Sequence, residues 1–383
     1  MICRQAGQAM ADEAVRLGYI DPPVQIGSRS PSSVVGLAET PPVVAPAGWP
    51  ELVAGLLDIR GAAPNGFKVL DLFAGCGGLA LGFEAAGFET HGFEMDADAA
   101  ASYRNNLSGD CTEVKLSAGH DYGFQPDLII GGPPCQPFSV IGHQKGSQDD
   151  RDGFPVFIDA VARLQPHLAI IENVRGLMYQ SRPYLDAVVA HLTALGYQVD
   201  YRLLKATDFG VPQNRERVVI IASRVGWTWP KATVSRAVTA GTALGELASQ
   251  APDDGRYLTP AQDAYIGRYE AKSKCVTPRD LHLNKPARTL TCRNFGASTS
   301  DMLRIKLADG RRRMLTVREG ARLQSFPDWF EFVGREASVT KQIGNAVAPL
   351  FARALADAAL QVLREPKPVR IHRLEFRQEE LSL

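Results

Sequence analysis

Three short blocks hold side chains able to do chemistry. In Gly131-Gly132-Pro133-Pro134-Cys135-Gln136-Pro137-Phe138-Ser139 a cysteine sits on a stiff double-proline turn, directly after the apolar run Leu128-Ile129-Ile130. That placement suits a positioned nucleophile, although a small apolar gap-filler in an ordinary turn would look the same locally. A thiol is only slightly ionised at neutral pH, so a nucleophilic role requires activating surroundings. Glu172 closes a second apolar run, Leu168-Ala169-Ile170-Ile171, and is followed by Asn173. A carboxyl group delivered from a buried strand suits an acid, or equally a salt-bridging or capping residue. In Gln213-Asn214-Arg215-Glu216-Arg217-Val218 two arginines alternate about Glu216, which places both on one face of a strand. They suit the holding of an electron-rich group, or a solvated ion-pair ladder with Glu216.

A fourth block reads as a cofactor turn. Val69-Leu70-Asp71-Leu72-Phe73-Ala74-Gly75-Cys76-Gly77-Gly78-Leu79 is a strand, a glycine turn and a helix start. Glycines at 75, 77 and 78 allow close backbone approach and leave helix N-terminal amides open to a ligand. Glu94 ends the next candidate strand, where an acidic side chain can grip ribose hydroxyls. Gly75-x-Gly77-x-x-Ala80 also satisfies the dinucleotide pattern, so a nicotinamide cofactor competes at this point; no hydride-transfer constellation follows it.

These blocks need a scaffold, and the pattern from residue 67 onward supplies one. Candidate strands are 68–73, 90–93, 128–131, 168–172 and 218–222, separated by segments of helical spacing such as Phe154/Phe157/Ile158/Val161/Leu164. Strands alternating with helices predict an α/β fold with a doubly wound, mostly parallel sheet, whose ligands bind beyond the carboxyl ends of the strands. All four blocks fall at or beside such an edge. The expected organisation is a largely flexible extension over 1–65 with a short helix at 49–59, a catalytic and cofactor domain over 66–225, and a smaller irregular or β-rich domain over 226–340. A helix over 342–363 (segment 341–365) is expected to return to the first domain, ahead of a tail over 366–383.

Composition sets the outer bounds. An apolar fraction of 45% with 22% charged residues describes an ordinary globular chain. No run of about 18 apolar residues occurs, and the first residues lack an apolar leader core, so a cytoplasmic, membrane-free protein is expected. Six cysteines without a CxxC pair give neither a disulfide framework nor zinc-ligand spacing, and no metal is expected. Net charge is zero, yet residues 272–322 carry thirteen Lys/Arg against four Asp/Glu, including Arg311-Arg312-Arg313. That concentration reads as a footprint for a phosphate backbone or as a solvated basic face.

Taken in order, Asp71–Gly78, Gly131–Ser139, Ile170–Gly176, Gln213–Val218 and the block Gln342-Ile343-Gly344-Asn345-Ala346-Val347-Ala348-Pro349 resemble the signature blocks of the cytosine-C5 DNA methyltransferases. The resemblance covers residues 67 to about 360. It implies the S-adenosylmethionine-dependent methyltransferase fold and a methyl transfer to carbon 5 of a flipped-out cytosine in double-stranded DNA, leaving S-adenosylhomocysteine. It implies Cys135 as the nucleophile at carbon 6, Glu172 as the acid at N3, Arg217 at the cytosine carbonyl with Arg215 nearby, and a fixing role for Asn173. For the cofactor it implies Phe73 and Met95 against the adenine, Glu94 on the ribose and Asp110 on the adenine amine. Cys111, Leu79, Pro134, Asn345 and Ala346 line that site with Gly75, Gly77 and Gly78. For DNA the expected contacts are Gln136, with Ser139 and His143 on the glycine-containing loop 139–153, which suits closure over the base or an ordinary surface loop. The resemblance implies Arg288, Thr289, Arg293 and Asn294 in the target-recognition segment. A cognate restriction endonuclease and a monomeric state accompany the restriction-modification type. Pro155 stands where the family usually has leucine. A non-catalytic DNA-binding regulator and an RNA cytosine methyltransferase share parts of this pattern and remain the alternatives.

Overall fold

A computed structural model describes residues 48–134, 152–253, 255–272, 280–296 and 302–367. Cys135, Gln136, Ser139 and His143 lie outside the described residues. In chain order the elements are α1 (Trp49–Leu56), β1 (Lys68–Leu72), α2 (Gly78–Ala85), β2 (Glu89–Glu94), α3 (Ala97–Asn106), β3 (Cys111–Glu113), β4 (Leu128–Gly131), α4 (Phe154–Leu164), β5 (Leu168–Val174), α5 (Arg182–Ala194), β6 (Gln198–Lys205), β7 (Gln213–Asn214) and β8 (Glu216–Ser223). The remainder comprises α6 (Ala240–Leu244), α7 (Pro260–Lys272), β9 (Ala287–Arg288), α8 (Cys292–Gly296), β10 (Arg304–Lys306), β11 (Arg312–Met314), α9 (Val317–Leu323), α10 (Glu336–Asn345) and α11 (Pro349–Arg364).

Seven strands form one sheet in the order β3-β2-β1-β4-β5-β8-β6. Within it β8 alone runs against its neighbours; the others are mutually parallel. Successive residues of the apolar strands serve opposite faces. Val69, Leu128, Ile130, Leu168, Ile170, Val219 and Ile221 join one core with α1, α2 and α11, whereas Leu70, Leu72, Ile129, Ile171, Val218 and Ile220 join the other with α4 and α5. Strands buried on both sides must be apolar throughout, which is why they appear in the sequence as unbroken runs rather than alternations. The expected strands are present, and β3 and β6 join them at the two sheet edges.

Helix α11 covers the first face against α2. A Cβ on Gly82 would lie 2.4 Å from the Arg353 backbone nitrogen, so glycine is what lets the two helix backbones approach. The returning C-terminal segment is two helices, α10 and α11, rather than one, because Pro349 cannot continue the α10 hydrogen-bond ladder but fits a first turn. Pro155 occupies the same kind of position at the start of α4, where its missing N–H leaves no bond unmade.

The region between β8 and α10 shares buried residues with the α2/α11 core, among them Ala240, Leu290, Phe295, Leu303 and Phe326. Strand β9 pairs with β7 in a separate two-stranded sheet, tying this region to the chain just ahead of β8. Its basic run is not a free cationic face. Arg304 is fully buried between Glu270 and Asp280, at 2.8 and 2.6 Å. Arg312 reaches Asp263 and Asp280, Arg311 pairs with Asp309, and Arg322 with Asp328. Arg313 is 1% exposed and grips Glu319 with two donors at 2.8 and 2.7 Å, while its other hydrogens go to the carbonyls of Leu247, Gln250 and Met314. Much of the sequence-level positive charge is therefore consumed inside the fold. Lys285, Arg293, Lys306 and Arg311 remain exposed.

Glu319 also closes a capping box with Thr316 at the start of α9, so one carboxylate serves a helix terminus and a buried guanidinium. Glu319→Ala strands Arg313 as an uncompensated buried charge, and denaturant unfolding should show a loss of about 3–5 kcal/mol. The double change Arg313→Met with Glu319→Leu should cost less than Glu319→Ala alone.

Candidate active site

The carboxyl ends of β1, β2, β3, β4 and β5 open onto one cavity of about 500 Å³, closed from the other side by α10 and the turn that follows it. Phe73 and Gly75 line it from the first turn, Glu94 and Met95 from β2, Val114 and Leu116 from beyond β3, Gly132 and Pro134 from β4, Glu172 from β5, and Asn345 and Ala346 from the C-terminal block.

The glycine turn divides its work. Gly75 faces the cavity and donates its backbone N–H to Glu94 Oε2 at 2.9 Å. Gly77 caps α2 in the left-handed region, where a Cβ would strike Leu107 and Tyr103, and it does not line the cavity. Gly78 brings α2 against the C-terminal block: its Cβ would meet the Val347 carbonyl at 2.4 Å. Phe73 holds φ at +60°, a conformation rare for a bulky residue, and turns the chain from β1 into the cavity wall.

Glu94 is a junction. Its second oxygen accepts the backbone N–H groups of Met95 and Asp96 at 2.9 and 2.8 Å, which fixes the carboxylate yet leaves lone pairs toward the cavity. Asp96 caps α3 and binds Lys341 of α10 at 3.0 Å. That bond holds the Asp96 carboxyl below its ordinary pKa and raises the Lys341 ammonium above its own. Asp71, at 1% exposure, is the unexpected member of the wall. Neither carboxyl oxygen has a hydrogen-bond partner, and burial, with Glu94 adding to it, pushes its pKa well above the usual carboxylate range.

At the cavity's other end stands Glu172. Because β8 is reversed, its beginning lies beside the end of β5, with Val174 opposite Arg217 in register. Arg217 Nε comes within 2.7 Å of Glu172 Oε1, and both side chains are largely buried. The approach is an ion pair without a well-aligned N–H···O bond, so Oε1 stays short of a donor. Burial pulls the Arg217 pKa down while Glu172 opposes that. Asn173 donates from Nδ2 to the Pro133 carbonyl at 2.9 Å, clamping the turn whose next described residue is Pro134. That turn must pass close to the acid: a Cβ on Gly132 would lie 3.4 Å from Glu172 Oε2.

Five expected site residues sit elsewhere. Arg215 does not face the cavity. It is buried beneath it, donating to the carbonyls of Leu290 and Ala346 at 2.9 Å and Gly344 at 3.3 Å, so it braces β7–β9 and the C-terminal block. Burial and the adjacent Arg217 lower its pKa strongly. Asp110 and Cys111 stand at the opposite end of β3 from the cavity: the Asp110 carbonyl accepts from Gly92, and its carboxylate binds the Cys111 amide. The chain beyond β3 supplies Val114, Lys115 and Leu116 in their place. Asn294 is buried, bonding the Thr289 carbonyl and the Thr291 amide, which makes it a brace for a turn rather than a reader of bases. Thr289 spends its hydroxyl on the Asn214 carbonyl. Arg293 is exposed and Arg288 half-buried. Asp71, not singled out from the sequence, could have been found as the acid near the carboxyl end of the first strand; Lys341 carried no signal before α10 was placed.

A doubly wound sheet with a glycine turn, a ribose-competent carboxylate and an acid–guanidinium pair along its carboxyl edge defines a nucleotide-cofactor transferase. Residues 67–361 match the C-5 cytosine-specific DNA methylase family, and the chain belongs to it. It is 59% identical over 303 residues to the Type II methyltransferase M.AplI of Arthrospira platensis, covering 79% of this chain and 88% of that protein. It is 34% identical over 315 residues to the Type II methyltransferase M.NgoMIV of Neisseria gonorrhoeae, covering 78% and 99%. Among solved structures, the S. pombe Dnmt2 methyltransferase shares the fold at a TM-score of 0.60 and 16% identity over 78% of this chain and 98% of that one. This protein is a DNA (cytosine-5) methyltransferase.

The buried Asp71 gives a pH test of the ligand-free protein. A raised folded-state pKa means the folded protein holds a proton that the unfolded chain releases near pH 4. That contribution is full below about pH 4 and is lost as pH rises through the folded pKa. Asp71→Asn removes the titration. Its melting temperature relative to the unaltered protein should therefore climb from pH 4 to neutrality, read by calorimetry.

Proposed function

We propose that this enzyme methylates a flipped-out cytosine within a short double-stranded DNA sequence, through a covalent adduct between Cys135 and carbon 6. The observation that carries the reading is the convergence at one cavity end of Glu172, Arg217 and the clamped turn ending in Pro134, one residue before Cys135. Carbon 5 of cytosine is a poor nucleophile until the ring's aromaticity is broken. The Cys135 thiolate adds at carbon 6, and the ring electrons move toward N3 and the carbonyl oxygen. Glu172 meets N3 with a proton or hydrogen bond, and Arg217, held by Glu172, faces the carbonyl oxygen. Carbon 5 then carries the nucleophilic electron pair. After methylation its proton leaves to water, and the carbon–sulfur bond breaks to release the thiolate.

S-adenosylmethionine supplies the electrophilic methyl group when bound. The residues present fit it. Asp71's orphaned carboxyl suits the ammonium of the amino-acid end, since a cation there compensates the buried acid. Glu94 keeps lone pairs for the ribose hydroxyls, and Phe73, Met95 and Val156 offer apolar surface for a purine. Access to the base requires unstacking it, at a cost of a few kcal/mol, offset by phosphate contacts from exposed cations such as Arg293. The Type II relatives favour a role beside a restriction endonuclease that cuts the same sequence, in the bacterial cytoplasm where its DNA resides.

DNA carrying 5-fluorocytosine tests this directly, because fluorine at carbon 5 cannot leave as a proton. With S-adenosylmethionine, the unaltered enzyme should form a complex that survives denaturing electrophoresis, and Cys135→Ser should form none. A trapped complex with the serine variant would remove Cys135 from the mechanism.

A further inference from the structure

Two of the six large apolar side chains exposed among the described residues, Val174 and Tyr179, fall in one short stretch directly after Glu172 and Asn173. That stretch is the end of β5 and the one-turn 3₁₀ helix Arg175–Met178 that follows it. Leu177, buried, anchors the turn in the core shared with α4 and α5, and Met178 packs against the same core. Val174 and Tyr179 nevertheless stay 47% and 60% exposed, and the Arg175 side chain 66%. The turn thus has a fixed base and projects a guanidinium and an aromatic ring from the strand end that carries Glu172.

The two projecting side chains are set against each other. The Arg175 guanidinium lies 5.7 Å from the Tyr179 ring centroid, over the ring. Its Nη1 donates at 2.8 Å to Oε2 of Glu216, the residue before Arg217 on β8. Among the described residues, Nε and Nη2 of Arg175 and the Tyr179 hydroxyl have no hydrogen-bond partner. An ion pair this open to water contributes little to stability, so the consequence of Glu216 is to aim the guanidinium. What remains is a planar cation with donors to spare beside a largely open ring, which suits a phosphate next to the flat face of a nucleotide. Three residues of chain span at most about 11 Å, so the Arg175 backbone stays close to Glu172 and its long side chain reaches further. Successive nucleotides of one strand are only about 3.4 Å apart along the duplex axis, which brings the phosphates flanking a base at Glu172 within that reach. Resting on the base-flipping reading above, we infer that Arg175 and Tyr179 hold the strand carrying the target cytosine. Arg175 binds a backbone phosphate beside the flipped nucleotide, and Tyr179 stacks on the neighbouring one.

The test follows labelled methyl transfer from S-adenosylmethionine to long mixed-sequence DNA, which contains every short site, over a range of salt concentrations. Arg175→Gln should lower kcat/KM for DNA and make its decline against log salt shallower by about one, the value of a single phosphate contact. Arg175→Lys keeps the charge and should restore the slope. Tyr179→Ala should lower kcat/KM by about fivefold or more with the slope unchanged, because stacking releases no counterion. S-adenosylhomocysteine affinity, titrated without DNA, should be unaltered in all three variants. A slope unchanged in Arg175→Gln, or not restored by lysine, overturns the phosphate contact; kcat/KM unchanged in Tyr179→Ala overturns the stacking contact. A matching loss of S-adenosylhomocysteine affinity overturns both, since the turn would then be a support of the cavity. Each of these results leaves the cytosine chemistry standing, whereas failure of the unaltered enzyme to methylate any DNA overturns that reading together with the inference.

Discussion

The contact on which the site depends is that between Glu172 and Arg217. It exists because one strand of seven is reversed. In an all-parallel sheet the beginning of β8 would lie at the far edge, a strand length away from the end of β5. Reversal puts Arg217 beside Glu172 in the low-dielectric rim of the cavity, where the two side chains orient each other at 2.7 Å. Asn173, next on β5, fixes the Pro133–Pro134 turn through the Pro133 carbonyl. Carboxyl group, guanidinium and proline turn are thus set by consecutive residues of one strand and the start of its antiparallel neighbour.

The cofactor end is held by a second constraint, the close packing of α2 against the C-terminal block. Gly78 against the Val347 carbonyl and Gly82 against the Arg353 backbone allow no side chain at either position. Arg215 reaches the same block from beneath through Gly344 and Ala346. A segment more than 260 residues from the glycine turn therefore closes the cavity, and Lys341 and Asn345 arrive with it. Damage to α11 should reach the cofactor through this packing rather than through any direct contact.

Much of this was legible in the residues. The apolar runs that became β1, β4, β5 and β8 had to be apolar because both sheet faces are covered, and the glycine turn, Glu94, Glu172 and Arg217 follow from strand ends. Strand β6 was not legible, since an edge strand with Asp200, Arg202 and Lys205 lacks an apolar run. Asp110 was misplaced for a related reason. The edge strand β3 is three residues long, and nothing in the sequence says which of its ends carries a given acid. Charge misled most. The basic run showed its arginines but not the partners that neutralise them, because Asp263 and Glu270 reach Arg312 and Arg304 only through tertiary packing.

The central claim is that Glu172 acts on the substrate base and is not merely Arg217's structural partner. Glu172→Gln keeps the side chain's shape while removing its charge and its capacity to donate an acid proton. Transfer of labelled methyl from S-adenosylmethionine to DNA should then fall by about 10²-fold or more, the scale of a lost general acid, with S-adenosylhomocysteine affinity unchanged within a few-fold. Methyl transfer at the unaltered rate, with the cofactor product still bound normally, would contradict it.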